Sequence, residues 1–144
     1  MRVALVGDER PAVRAALEAE GEVELVEPPE ALAATRDGQI PELAAELAAE
    51  LRAFERLFGD ERVERVVLAG SSNLSLAAVL VATKMLIPVG ALQDANRGEA
   101  GEGPLAMNAR LIEHLADAAL AEDAGAVAAW LREPQQRSQS KAEH

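Results

Sequence analysis

This chain of 144 residues has no cysteine, only two histidines, few basic side chains and no long apolar run. The lack of cysteine excludes a disulfide framework, a thiolate nucleophile and zinc–thiolate sites, and it fits a reducing compartment such as the cytoplasm. The two histidines, His114 and His144, lie far apart, and the second falls in a polar tail, so no histidine spacing typical of a metal site exists. We therefore expect no metal, no cofactor and a cytoplasmic location.

Positive charge is scarce as well. There are 14 basic against 25 acidic residues, and the formal net charge is −11 at pH 7. A field of this sign repels polyanions, which argues against a nucleic-acid partner. No segment approaches the roughly 20 apolar residues of a membrane span, and the apolar run at residues 3–6 is too short for a signal peptide. We expect a soluble protein with neither nucleic-acid nor membrane partners.

Short apolar runs alternate with segments of helical periodicity over residues 1–133, which we interpret as one domain. Apolar runs without a period of two are typical of strands that are buried on both faces of a parallel sheet. The predicted strands are 3–6, 23–26, 63–69, 87–91 and 118–121, and the predicted helices are 10–20, 41–58, 71–84, 104–117 and 123–132. A loop with at most one short helical turn is expected near 27–39, and residues 134–144 are expected to be disordered.

The order of these elements predicts a topology. Right-handed crossovers with one reversal after the second strand give the order 2-1-3-4-5, a Rossmann- or flavodoxin-like three-layer α/β/α domain with five parallel strands. Ligands in such sheets bind beyond the carboxyl ends of the strands, where the winding reverses. The predicted crevice therefore lies between the loops after strands one and three. The residues expected to line it are Gly7, Asp8, Arg10, Gly70, Ser71, Ser72 and Asn73, with Gln93 and Arg97 arriving from the loop after strand four.

Two interpretations of the serines stay open. Ser71 or Ser72 caps the helix that follows and does nothing else, or the cap and the free N–H groups of that helix also contact an anionic ligand.

Other sequence features are weaker indications of function. The glycine-rich segment 98–103 carries two glutamates and no lysine follows it, so it predicts a flexible loop. His114 and Asp117 are interpreted as a surface pair, because no nucleophile elbow accompanies them.

Longer motifs carry a resemblance. "VVLAGSSNLSLAAVLVATKMLIPVGALQDANRG" followed by "GPLAMNARLIEHLADAALA" resembles the N-terminal Rossmann-like domain of the UDP-N-acetylglucosamine 2-epimerase family, which has a GT-B-like fold. That family has strand-Gly-Asp-Thr-helix, then Ile-Pro-Val-x-His-Val-Glu-Ala-Gly-Leu-Arg, then Pro-Glu-Glu-x-Asn-Arg before a helix with His-x-Ala-Asp. "VGDERPAV" is similar to its Gly-Thr-Arg-Pro-Glu-Ala turn, so the likeness covers most of residues 2–133. The matching residues are Gly70, Ile87, Pro88, Val89, Arg97, Pro104, Asn108, His114, Ala116 and Asp117.

The departures from the family pattern concern its carboxylates. Ser71 stands where the family has aspartate, Gln93 where it has glutamate, and Leu105 and Ala106 where it has a glutamate pair. Ala109 replaces the family's arginine, and Arg110 points about 100° away around the helix. Because proton abstraction needs positioned carboxylates, the resemblance implies a non-catalytic domain that binds a partner chain or a small anionic, nucleotide-sugar-like ligand. The candidate ligand contacts are Arg10, Gly70, Ser71, Ser72, Asn73, Gln93, Arg97 and Asn108.

Two further interpretations concern partners. The sequence does not extend over the family's second domain, so the chain is alternatively half of a split sugar-nucleotide epimerase or glycosyltransferase, and an unrelated activity in the same crevice is a third reading. We also expect a homodimer, because 49% of the residues are hydrophobic and helix 71–84 is apolar nearly all round. Trp130 and Leu131 are the predicted anchors, unless they are core residues. The charge of −11 favours the opposing view, a monomer.

Overall fold

A computed structural model describes residues 1–29, 43–93 and 103–134. Strands and helices alternate along these residues, as the apolar runs predicted. In chain order the elements are β1 (Arg2–Gly7), α1 (Pro11–Ala19), β2 (Glu24–Val26), α2 (Leu43–Asp60), β3 (Arg65–Ala69), α3 (Asn73–Lys84), β4 (Val89–Leu92), α4 (Pro104–Leu115), β5 (Ala118–Leu120) and α5 (Ala124–Arg132).

The strands form one parallel sheet in the order β2-β1-β3-β4-β5, which confirms the predicted topology. The central pair, β1 and β3, is in register from Val3 opposite Arg65 to Gly7 opposite Ala69. All five residues of β3 are buried. Continuous burial explains why this strand is apolar throughout rather than alternating, since helices cover both of its faces.

Two separate hydrophobic clusters lie on the two faces of the sheet. Successive strand residues point to opposite faces, so Val66 and Leu68 join one cluster while Val67 joins the other. The first cluster packs against α2, α3 and α4, and the rings of Phe54 and Phe58 lie 5.3 Å apart within it. The second packs against α1 and α5. The fold is therefore the three-layer α/β/α sandwich that was predicted.

Helix α3 is the most buried helix of the sandwich. Its buried residues include polar Asn73 and Ser75 along with most of its apolar ones. The Ser72 hydroxyl caps the helix by accepting a hydrogen bond from the Ser75 backbone N–H at 3.2 Å. The helix begins at Asn73, two residues later than predicted, and Ser71 lies outside it.

Helix α5 is held to the sheet by a buried arginine. The Arg65 guanidinium donates to the backbone oxygens of Trp130 (3.2 Å), Leu131 (2.8 Å) and Glu133 (3.1 Å), and it lies 5.5 Å from the centroid of the Trp130 ring. Burial lowers the pKa of Arg65, and the nearby Glu64 and Glu133 oppose this effect. Trp130 and Leu131 are each 4% exposed. The prediction that they anchor a dimer is wrong, because both side chains are already buried within the chain.

The remaining differences concern element ends. Strand β4 runs from Val89 to Leu92 rather than over 87–91, and α4 ends at Leu115 rather than at 117. The loop expected near 27–39 lies mostly outside the described residues, as do the glycine-rich segment 98–103 up to residue 102 and the tail from residue 135. In the three ranges that the structure describes, no helix has both the length and the apolar character needed to cross a membrane.

Gly7 provides a test of the close contact between β1 and β3. Its φ is +117°, and a Cβ atom there would lie 1.9 Å from the carbonyl oxygen of Ala69. We predict that Gly7→Ala lowers the free energy of unfolding by about 2–4 kcal/mol, because backbone strain and steric overlap both oppose it. Urea denaturation measures the loss. The matched control is Gly21→Ala, whose Cβ would meet no atom within 4 Å and whose effect should stay within about 1 kcal/mol. Equal stability of Gly7→Ala and wild type would contradict this geometry.

Candidate functional site

The carboxyl ends of β1, β3 and β4 meet at one edge of the sheet, where ligands of parallel α/β domains bind. The loops after β1 and β3 touch each other there. The Asp8 backbone N–H donates to the Ala69 oxygen at 2.9 Å, and the Asp8 carboxylate lies so close to Gly70 that a Cβ there would be 2.4 Å from Oδ2. The two loops between which the crevice was predicted are therefore in direct contact, with Asp8 beside Gly70.

A cavity of about 130 Å³ lies one strand further along, between α4 and the strands β4 and β5. Ser71 and Gln93 line it at the carboxyl ends of β3 and β4. Asp117 lines its opposite end, and the Asp117 carboxylate accepts a hydrogen bond from the Val89 N–H at 2.7 Å. Small residues line most of the length between them, namely Ala91, Ala109, Ala116, Ala118 and Ala119, and the larger Leu92, Ile112 and Glu113 also contribute. The structure thus brings Gly70, Ser71 and Gln93 of the predicted site together, at a different place from the predicted crevice.

The start of α3 lies next to Ser71 in this wall. Ser72 serves as the cap, and the first backbone bond of the helix runs from the Leu76 N–H to the Ser72 oxygen at 3.0 Å. The first N–H groups of an α-helix have no acceptor within the helix, and the positive end of the helix dipole lies here. The capping role predicted for Ser71 or Ser72 is confirmed for Ser72. A ligand contact by either serine stays a prediction.

Asn73 and Asn108 form a buried polar pair behind this wall. The Asn108 amide donates to Asn73 Oδ1 at 2.8 Å and to the Ser71 backbone oxygen at 3.1 Å. Their exposed fractions are 6% and 5%. Both amides are used inside the fold, where they tie α4 to the loop that carries Ser71. These two residues therefore set the distance between the two walls of the cavity.

Of the two arginines predicted to contact an anion, Arg10 and Arg97, the structure describes Arg10. Arg10 donates a hydrogen bond through Nε to Glu122 and through Nη1 to the Glu9 backbone oxygen at 3.2 Å, and Nη1 lies 3.9 Å from an Asp8 oxygen. These carboxylates balance its charge, which weakens its attraction for an anion. Arg97 falls outside the described residues.

Helix α4 supplies a wall that the sequence argument missed. Ala109, Ile112 and Glu113 of α4 line the cavity together with Ala116, the residue that caps the end of the helix, and their spacing places them on one side of α4. That periodicity was available in the sequence, but it gave no reason to choose this face over the others. Leu105, in the place of a family glutamate, is 54% exposed at the start of the helix. Within the described ranges, no three histidine, aspartate or glutamate side chains are grouped as metal ligands.

The fold and the cavity define a doubly wound α/β domain with a candidate ligand site at the carboxyl edge of its sheet. Neither a protein-family model nor a curated protein matches the sequence. Solved structures of UDP-GlcNAc 2-epimerases are similar to it. The enzyme from Neisseria meningitidis bound to UDP-GlcNAc is 18% identical with a TM-score of 0.60, and the match covers 95% of this chain and 44% of that one.

Two more structures match in the same way. The Methanocaldococcus jannaschii enzyme in complex with UDP-GlcNAc and UDP is 17% identical, with a TM-score of 0.65 and coverage of 95% of this chain and 45% of that one. The Rickettsia bellii structure is 14% identical, with a TM-score of 0.61 and coverage of 83% and 38%. The resemblance predicted from the sequence is confirmed at the level of the fold. This chain spans less than half the length of these enzymes, as one of two domains would.

Proposed function

We propose that this chain is a non-catalytic domain of epimerase-like fold that binds a small anionic, nucleotide-sugar-like ligand at the carboxyl edge of its sheet. The observation that carries the proposal is that Ser71 and Gln93 line one cavity. These are two positions where the family resemblance implies carboxylates. A hydroxyl and an amide donate and accept hydrogen bonds, but neither abstracts a proton from carbon near neutral pH.

The charged and polar groups around the cavity favour a ligand whose anionic group lies outside it, at the mouth beside Ser71. The start of α3 offers backbone N–H groups and a favourable dipole to a phosphate near Ser71. Arg97 is the proposed cation, because Arg10 is already bound to Glu122. That two similar structures hold UDP-GlcNAc supports a nucleotide sugar as the first ligand to test.

Thermal denaturation with UDP, UDP-GlcNAc, phosphate and sulfate tests the binding proposal. A ligand at about 100 times its Kd stabilises the folded state by about 2.7 kcal/mol, which raises the Tm of a domain of this size by about 5–15 °C. We predict such a shift with UDP-GlcNAc, and we predict that Gln93→Ala reduces it. Glu18→Ala, an exposed change on α1, is the control that should leave it unchanged. If none of the four compounds shifts the Tm, the proposal fails.

Activity is the second test. We predict that the chain does not convert UDP-GlcNAc into its 2-epimer, because Ser71, Gln93, Leu105 and Ala106 stand at the positions of the family's carboxylates. Proton NMR of the sugar follows the reaction directly. Turnover above a protein-free sample that is also lost in Gln93→Ala would show that the chain is an enzyme.

A second candidate function is half of a split epimerase or glycosyltransferase whose other domain is a separate polypeptide. Two observations favour an additional partner. The matched structures are more than twice as long as the aligned region, and α4 carries exposed apolar side chains. Leu105, Met107 and Leu111 are 54%, 55% and 41% exposed. We propose that the face of α4 that carries Met107 and Leu111, which are four residues apart, meets another chain, and that a second copy is the default partner.

Sedimentation equilibrium at micromolar concentration tests self-association. We predict a species of twice 15.2 kDa, and we predict that Met107→Glu dissociates it, because a carboxylate buried in an apolar interface is costly. Met85→Glu is the matched control, since Met85 is exposed but lies at the other end of the domain, after α3. A single 15.2 kDa species in the wild type would rule out the homodimer.

A further inference from the structure

The cavity beneath α4 differs chemically between its mouth and its interior. Polar groups that could meet a ligand, the Ser71 hydroxyl and the Gln93 amide, lie at the carboxyl ends of the strands. Between them and Asp117 the lining is dominated by small apolar side chains, contributed by Ala91 and Ala119 of the sheet and by α4. None of the described residues that line the cavity is a lysine or an arginine.

This lining is unfavourable for two kinds of group. A sugar hydroxyl beside the alanine methyls, out of reach of Glu113 and Asp117, would lose its hydrogen bonds to water, at a cost of about 1–3 kcal/mol when no partner replaces them. An anionic group would also face Glu113 and Asp117, which line the same cavity. A compact apolar group meets neither penalty, and it gains from the removal of its surface from water.

The size of the cavity limits that group. Its volume is about 130 Å³. An engineered apolar cavity of about 150 Å³ in another protein binds benzene, so this volume suits a ring of about six heavy atoms.

We infer that the cavity holds a compact apolar group, such as an aryl or cycloalkyl ring, while the anionic part of the same ligand stays at the mouth beside Ser71 and Gln93. The inference rests on the proposed function for the site at the mouth. It specifies, within the proposed class of anionic ligands, the group that the cavity takes: an apolar group enters it, and a fully hydroxylated ring stays at the mouth.

Phenyl phosphate and glucose 1-phosphate form a matched pair of probes. Both carry a phosphate monoester on a six-membered ring, and they differ in the ring hydroxyls. Isothermal titration of the full chain should show phenyl phosphate binding at least about tenfold more tightly than glucose 1-phosphate or methyl phosphate, because only its ring gains from burial in the cavity. Equal affinities, or tighter binding of glucose 1-phosphate, would overturn the inference.

Variants that fill the cavity locate the ring. Ala109→Leu and Ala116→Leu each place a larger side chain on the α4 wall, so each should remove most of the preference for phenyl over methyl phosphate. Ala128→Leu on α5 adds the same volume away from the cavity and should keep the preference. If the filled variants keep it too, the ring binds elsewhere and the inference is wrong. The comparison of probes on the wild-type chain remains decisive if a filled variant does not fold.

The outcomes separate this inference from the proposed function. Gln93-dependent binding of UDP-GlcNAc without a preference for phenyl phosphate overturns the inference and leaves the proposed function intact. Tight phenyl phosphate binding without UDP-GlcNAc binding supports the inference and overturns the nucleotide-sugar class. If none of these compounds binds, both fail.

Discussion

The burial of α3 on nearly every side is the constraint on which the rest of the domain depends. This helix lies between α2 and α4 and against the central strands, and its apolar residues fill the larger of the two clusters. Its position fixes where it begins, since the Ser72 cap must follow directly on the end of β3. The polar N-terminus of α3, a helix that is otherwise buried, therefore lies at the edge of the sheet, next to the candidate site. The packing of α3 therefore places Ser71 there.

The walls of the cavity are held by contacts that do not involve a ligand. The Asn108 amide joins α4 to Ser71 and Asn73, and the Asp117 carboxylate joins the start of β5 to β4. Each of these polar groups is satisfied inside the fold, so exchanging the neighbouring side chains for neutral ones leaves the scaffold intact. This independence explains how an epimerase-like fold is compatible with serine and glutamine at positions where the resemblance implies acids.

The sequence was informative wherever local pattern and burial coincide. The parallel sheet followed from apolar runs such as β3, because only a sheet covered on both faces needs them, and its strand order followed from right-handed crossovers. The sequence could not decide whether Ser71 or Ser72 caps the helix, since either hydroxyl can accept a hydrogen bond from a backbone N–H of the first turn. The position of the cavity could not be predicted from the sequence either. It depends on the contact of Asp8 with Gly70 and on the packing of α4 against α3, which join residues that are distant in the chain. The spacing of Trp130 fits a core or an interface equally well, and only its contact with the distant Arg65 places it in the core.

Helix α4 connects the two proposals about this protein. One of its faces, with Ala109, Glu113 and Ala116, forms a wall of the cavity, while Met107 and Leu111 lie exposed on another. A partner that covers the exposed face therefore contacts the same helix that forms a wall of the ligand cavity. If α4 lies at different positions in the free and the ligand-bound chain, the free energy of partner binding differs between these two states. By thermodynamic linkage, the ligand and the partner then change each other's affinity by the same factor. Ile112 and Glu113 are the long side chains of this wall, and the alanines beside them cannot adjust, so movement of the helix itself is one way in which the cavity can adapt to what it binds.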